Sequence, residues 1–439
     1  MNLVLLNFNV LKMSISKIKS IKAREILDSR GNPTVEVKLE TERGIFLGQV
    51  PSGASEGKYE ALELRDGGKR FLGKGVLRAV RNVNEVLAPK LKGKNPTSQK
   101  EIDELMIELD GTEQKSNLGV NAILPVSIAV CRAGASAQKI PLYQYLSFLA
   151  HTSSSFRKEK KREKRISIPL ACFNIINGGV HAGNDLDFQE FMICPQLKSF
   201  SENLRSAVEI YYTLKEILRR NFGNLAINVG DEGGFAPPLR FAEQALELIM
   251  EALKKANYKN SVRILVDSAA SEFYQQGTYK MKRAVFTREG LLDFYLNLLK
   301  NYPIIALEDP FAQDDFEGWQ KLNSKLKTQN SKFLVFGDDL LATNRERMKI
   351  AKEKNLCNGL ILKIDQIGTI SEALEAGKLA REFGWKIMVS HRSGETTDDF
   401  IADLAVGISA DFIKSGAPVR GERVAKYNRL LEIEEELQR

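Results

Sequence analysis

From Ile264 onward the chain repeats one pattern, a short apolar run that ends in a polar group. The runs are Ile264-Leu265-Val266-Asp267, Ile304-Ile305-Ala306-Leu307-Glu308, Phe333-Leu334-Val335-Phe336-Gly337-Asp338, Leu360-Ile361-Leu362-Lys363, Ile387-Met388-Val389-Ser390-His391 and Asp411-Phe412-Ile413-Lys414. Uninterrupted apolar runs of this length fit strands covered on both faces. Their polar ends lie 41, 30, 25, 28 and 23 residues apart, about one strand–helix unit each, and amphipathic stretches such as 371–383 lie between them. Two earlier strands are predicted at 168–176 and 188–194, followed by helices near 202–220 and 241–255. The loop joining the two strands is too short for a helical crossover, so that pair should be antiparallel. Two strands plus six predict an eight-stranded α/β barrel with an irregular antiparallel start. In such barrels the strand ends converge on the active site.

The earlier part of the chain alternates instead. Val35, Val37 and Leu39 share one face and Glu36, Lys38 and Glu40 the other, after a turn at Gly31-Asn32-Pro33; this is a half-exposed strand of an antiparallel sheet. A second strand-like run, 45–50, leads into a loop of small residues, 51–57, where Ser55 offers a hydroxyl. Ser98 with Glu101 reads as a capping box ahead of a helix closed by Asp110-Gly111. A second helix is predicted over 121–138, with Pro125 tolerable only in its first turn. These elements make an α+β domain over 13–150, a basic linker or insertion over 151–167, and the barrel over 168–439. Residues 1–12 read as an extension outside the fold or a mis-started stretch.

Charge changes this picture little. The net +8 is concentrated between Arg157 and Arg165, where seven Lys/Arg and two Glu supply five of the eight charges. A basic run without interleaved aromatics is a solvated loop, so no obligate nucleic-acid partner is expected. Four cysteines without a C-x-x-C pair argue against a disulfide framework or a zinc site. No membrane span is expected, and the reading is a cytoplasmic protein.

Converging strand ends bring Asp267, Glu308 and Asp338 together. Three carboxylates repel unless a proton or a hard divalent cation relieves them, and oxygen-only ligands point to Mg²⁺ or Mn²⁺. Taken singly, each could instead cap a helix N-terminus. Lys363, at the end of a buried strand, could snorkel to solvent, or serve as a general base with Lys414 beside the cation. A Schiff-base lysine is the rival chemistry. Arg392 and Ser393 suit a phosphate, and Glu190 and Glu232 are candidate acids.

At these residues the chain closely resembles the enolase family. The matching stretches include Asn177-Gly178-Gly179-Val180-His181-Ala182-Gly183 with Gln189-Glu190-Phe191, Gly230-Asp231-Glu232-Gly233-Gly234, and Leu307-Glu308-Asp309-Pro310. Further matches are Lys363-Ile364-Asp365-Gln366-Ile367-Gly368-Thr369, Ser390-His391-Arg392-Ser393-Gly394-Glu395-Thr396, Lys414-Ser415-Gly416-Ala417-Pro418, and Ser52-Gly53-Ala54-Ser55. The resemblance implies a TIM-like barrel behind an α+β capping domain, and Mg-dependent dehydration of 2-phosphoglycerate to phosphoenolpyruvate. It implies Lys363 as the base for the C2 proton, a pattern general to the superfamily. Glu232 would protonate the leaving hydroxyl with Glu190 assisting, and His181 and His391 would join the catalytic group. Asp267, Glu308 and Asp338 would carry the first of two Mg²⁺, and Ser55 the second when substrate is bound. Arg392, Ser393, Lys414, Gln189 and His181 would contact the substrate. A homodimer is implied too, with a secondary cell-surface presence as in the family. Asp365 departs from the family, where Asn is commoner, and the basic segment 157–165 looks inserted. A relative acting on a sugar acid would share the carboxylates but lack the Ser55 loop and the Ser-His-Arg-Ser-Gly-Glu-Thr motif.

Overall fold

The computed structural model describes residues 16–53, 57–151, 166–328 and 332–438; Ser55, the basic window and residues 1–12 lie outside them. The chain begins with three antiparallel strands in order, β1 (Ser20–Leu27), β2 (Pro33–Thr41) and β3 (Gly44–Gln49). On β2 the alternation holds: Val35, Val37 and Leu39 are fully buried, while Lys38 and Glu40 are exposed. Glu36 departs from it and is buried, because its carboxylate accepts from Arg24 Nε at 2.6 Å and Gln49 Nε2 at 2.7 Å. A buried charge is tolerable only when paired in this way. β1 escapes the sequence pattern, since only Ile21 and Ala23 on it are buried; its full-length pairing with β2 holds it in place.

Two local expectations need correction. The helix after Ser98 spans Gln99–Asp110 and ends at Gly111 with φ 72°, but Ser98 makes no side-chain cap. Its ψ is 52°, whereas the caps that form, Ser199, Thr287 and Thr369, have ψ of 160°, 170° and 155°. Only the extended backbone aims the side-chain oxygen back at the first turn. Pro125 lies in the second turn, not the first, because its helix begins at Val120 and spans Val120–Gln138. That helix is long and apolar enough to cross a membrane, yet it is buried against β2 and β3. Its packing is close enough that a Cβ on Gly48 would meet Pro125 O at 2.1 Å.

The barrel strands are β4 (Leu170–Asn177), β5 (Glu190–Pro195) and β6 (Val262–Asp267), then β10 (Ile304–Glu308), β11 (Leu334–Gly337), β12 (Gly359–Leu362), β13 (Lys386–Ser390) and β14 (Phe412–Lys414). A small antiparallel sheet of β7 (Tyr274–Gln275), β8 (Thr278–Lys280) and β9 (Val285–Phe286) interrupts them. The eight strands close in the order β4, β5, β6, β10, β11, β12, β13, β14 and back to β4. β5 is antiparallel to both neighbours and every other pairing is parallel. The irregular antiparallel start is therefore one inverted strand. Its inversion puts the first residue of β5, Glu190, level with the ends of the others, opposite Asn177 and Asp267.

The two parts dock through backbone. Ser52 and Gly394 exchange hydrogen bonds at 2.7 and 2.9 Å, Ser29 N donates to Glu395 O at 2.7 Å, and Ala61 N donates to Gln366 O at 2.8 Å. The N-terminal domain thus closes over the loops after β12 and β13.

Candidate active site

Period-two alternation builds the site. One apolar or cysteine side chain from each strand fills the barrel interior: Cys172, Met192, Leu265, Ala306, Phe336, Ile361, Met388 and Phe412. Two residues nearer the mouth, each strand presents its next inward position. Those positions are Asn174, Glu190, Asp267, Glu308, Asp338, Lys363, Ser390 and Lys414, so all eight strands contribute one polar group to a single layer.

Opposite charges interlock in that layer. Lys414 Nζ donates to both oxygens of Glu308 at 2.8 Å and to Glu190 Oε2 at 3.1 Å. Lys363 pairs with Asp338, whose other oxygen accepts from Gln366 Nε2 at 2.8 Å. Asp267 accepts from Gln189 Nε2 at 3.2 Å and from the N–H of Ala269 at 2.9 Å. Glu232, from the loop after residue 230, accepts from Asn174 Nδ2 at 2.7 Å. Its other oxygen sits 3.3 Å from His181 Nδ1 and 3.5 Å from His391 Nε2. Above the layer, Arg392 is held by Glu60 at 3.0 Å and Asp365 at 3.1 Å. Ser393 Oγ is buried without a partner beside it. An arginine and an orphaned hydroxyl suit an incoming anion.

The charges settle unevenly. Burial, reinforced by the neighbouring Glu232, pushes Glu190 up to about 8. Glu232 is equally buried, yet His181, His391, Arg423 and Lys414 outweigh that and keep it ionised. Burial also lowers both histidines, against the pull of the Glu232 carboxylate. Burial resists ionisation of Asp338 too, but Lys363 and Lys414 hold it at about 2. Burial and mutual repulsion raise Asp267 well above the usual carboxylate range. Lys363 is raised: burial opposes its charge, but the Asp338 carboxylate more than offsets this.

The donor set fits a hard divalent cation. Asp267, Glu308 and Asp338 offer carboxylate oxygens at one depth, and the burial and repulsion that raise Asp267 are what a dication would relieve. Among the described residues two groups have donor atoms within 4.8 Å of one another, His181 with Glu190 and Glu232, and Asp309 with Asp338 and Asp339. Of these, Asp309 is committed to the backbone, accepting from the N–H groups of Asp338 and Asp339 at 3.0 and 2.7 Å.

One cavity is lined by His181, Gln189, Glu190, Glu232, Asp267, Asp338, Lys363, His391, Arg392, Ser393 and Lys414. Glu308 lies against Lys414 in the polar layer, and Ser55 falls outside the described residues. The sequence reading passes over Asn174, Glu60, Gln366 and Arg423. Asn174 was legible in principle, since it follows the interior Cys172 by two residues. The other three reach the site from a loop, a single helical turn and the C-terminal helix, which no local pattern marks.

Known proteins resemble this chain over nearly its whole length. The family described as the enolase N-terminal domain matches residues 18–146, and that described as the enolase C-terminal TIM barrel domain matches residues 165–439. The chain is 52% identical over 437 residues to an enolase of Mastigamoeba balamuthi, covering 96% of each. It is 52% identical over 436 residues to enolase B of Dictyostelium discoideum, covering 96% of this chain and 95% of that one. It is 51% identical over 427 residues to an enolase of Methanopyrus kandleri, covering 96% of each. With both domains matched and about half of the aligned positions identical to each of these relatives, the chain belongs to the enolase family.

Proposed function

We propose that the chain catalyses the reversible dehydration of 2-phospho-D-glycerate to phosphoenolpyruvate, the hydro-lyase step of glycolysis and gluconeogenesis, with the strand-end layer as its working surface. The observation that carries this reading is the mixed layer, in which Lys363 and Lys414 interlock with Glu190, Glu308 and Asp338. Arg392 and Ser393 hold the phosphate above it, and Lys414 faces the substrate carboxylate. Gln189 and His181 line the remaining wall. Lys363 is the base for the C2 proton. Asp338 keeps it protonated; a cation held by Asp338 would take that carboxylate's charge and would favour the free amine. Asp267, Glu308 and Asp338 would hold one Mg²⁺ and Ser55 would help to hold a second with substrate, and such ions would supply positive charge against the charge that builds as the proton leaves.

The leaving 3-hydroxyl needs a proton. Glu232 is ionised and has none to give until it takes one up, whereas Glu190 carries one up to about pH 8. His181 lies between them, 3.9 Å from Glu190 and 3.3 Å from Glu232. Glu190 is the weaker acid of the two and does not hand its proton on to Glu232; it assists by adding no second negative charge beside it while it stays protonated. The chain works in the cytoplasm as a homodimer, a reading supported by the family resemblance and by four free, buried cysteines; sedimentation of the purified protein at a single-subunit mass would overturn the dimer.

The test follows the ultraviolet absorbance of the enol phosphate product with and without Mg²⁺. Turnover should require Mg²⁺, and Lys363→Ala should lower kcat by about 10³-fold or more, the size of a lost proton-transfer group. Mg²⁺ should still raise the Tm of that variant. Normal turnover by Lys363→Ala, or full activity in EDTA with borohydride trapping of the lysine, overturns the assignment in favour of Schiff-base chemistry.

A further inference from the structure

Arg423 touches no substrate position in the reaction described above, yet its side chain is fully buried, with Nε 3.5 Å from Glu422 and four further polar contacts. It projects from the C-terminal helix Gly421–Gln438. Nη1 donates to Arg392 O at 2.6 Å and lies 2.5 Å from His391 Nδ1. Nη2 donates to Ser393 O at 2.6 Å and Asp231 O at 3.0 Å. One side chain thus ties the loop carrying Glu232 to the loop carrying His391, Arg392 and Ser393.

The contact with His391 fixes chemistry as well as position. A guanidinium has five donors, no acceptor, and stays charged in proteins. His391 Nδ1 can meet it only with a lone pair. The ring proton is then forced onto Nε2, which lies 3.5 Å from Glu232 Oε1 and is buried without a hydrogen-bond partner. Adding a second proton at Nδ1 would set N–H against N–H, so the imidazolium cannot form while Arg423 is in place. We propose that Arg423 is a positioning residue that locks His391 in its neutral Nε2–H tautomer and aims that N–H at Glu232. His391 then neither takes nor gives a proton during turnover, and keeps its N–H on the side of the ring nearest the Glu232 carboxylate. The catalytic value of this lock rests on the proposed role of Glu232 in protonating the leaving hydroxyl.

The chain has three histidines, which makes nitrogen NMR on the full-length, ¹⁵N-histidine-labelled protein tractable, with His391→Gln identifying the signals of interest. His391 should show an unprotonated Nδ1 and a protonated Nε2, unchanged from about pH 5.5 to about 8.5, a window spanning the ordinary histidine value. Arg423→Met removes every donor at similar length. It should release His391 into mixed tautomers that titrate, and lower kcat on the order of 10- to 100-fold, the usual size of a lost supporting contact, with a smaller change in KM. Arg423→Lys, which returns one donor, should recover part of both signals. A wild-type spectrum with Nδ1 protonated, or an imidazolium at neutral pH, overturns the proposal without any variant, so it stands or falls even if Arg423→Met does not fold. A folded Arg423→Met protein that keeps the Nε2–H tautomer overturns it too. A locked tautomer in a protein that fails to dehydrate 2-phosphoglycerate would instead overturn the proposed reaction and leave the lock intact.

Discussion

Glu190 and Glu232 are the same side chain in the same cavity, and they hold opposite charge states. Both are deeply buried, so the difference comes from neighbours: Glu232 faces two histidines and an asparagine amide, whereas Glu190 faces Glu232 and shares Lys414 with Glu308. Since kcat/KM reports groups of the free enzyme, it should fall as pH rises through about 8, where Glu190 loses its proton. Glu190→Gln should lose that limb in a pH–rate profile. The stability consequence has the same sign. The folded value lies above the ordinary 4.5, so the contribution is fully present below about 4.5 and is lost as pH rises through about 8. Thermal unfolding measured across that range should show a shallower decline for Glu190→Gln. At Arg392 the balance is different, because Glu60 and Asp365 both compete with an incoming phosphate. Burial pushes Asp365 up to about 6, leaving it mostly ionised at neutral pH. Asp365→Asn should therefore lower KM by about tenfold, the size of one charge removed at a distance of about 10 Å; a higher KM would mean that Asp365 chiefly orients the arginine.

Element by element, the reading from sequence succeeded where burial is two-sided. The six strands from β6 to β14 that close the barrel were legible as apolar runs because both faces are covered. β1 and the small β7–β9 sheet were not, because short or edge strands bury too few side chains to leave a period. Capping was misread at Ser98 for a related reason: the residue type was right, but the backbone angle that aims it is set by the preceding chain. The contact between β3 and the helix Val120–Gln138 was equally invisible, although it depends on one residue. Gly48→Ala places a methyl against Pro125 O at 2.1 Å, and neither backbone segment can yield freely. Overpacking of this kind costs roughly 1–3 kcal/mol, so calorimetry should show a lower Tm for the variant, with little change in KM if the barrel mouth is untouched.

At the scale of the whole molecule, the N-terminal domain completes the anion side of the site. It supplies Glu60 to Arg392 and meets the loop after β13 through the Ser52–Gly394 bridge. Gly394 admits this approach only because it lacks a side chain: a Cβ there would meet Asp28 Oδ2 at 2.5 Å and Ser52 O at 2.7 Å. Gly394→Ala should push the domain off the loop, raising KM and lowering kcat together, as expected when closure over substrate is impaired. Steady-state kinetics check this, and unchanged constants would show that the bridge is not needed for closure.

The sequence by itself determined the barrel class, the inverted start, and the identity of nearly every charged group at the mouth. It could do so because strand periodicity is local, and because the motifs that carry the family likeness lie where strands end. Tertiary structure alone decided which of those groups carry charge. The proton on Glu190, the ammonium on Lys363 and the weakened basicity of His391 follow from burial and from partners 25 to 224 residues away along the chain, Asp338, Arg423 and Lys414 among them. Coulomb and hydrogen-bond energies depend on distance in space, which no reading along the chain contains.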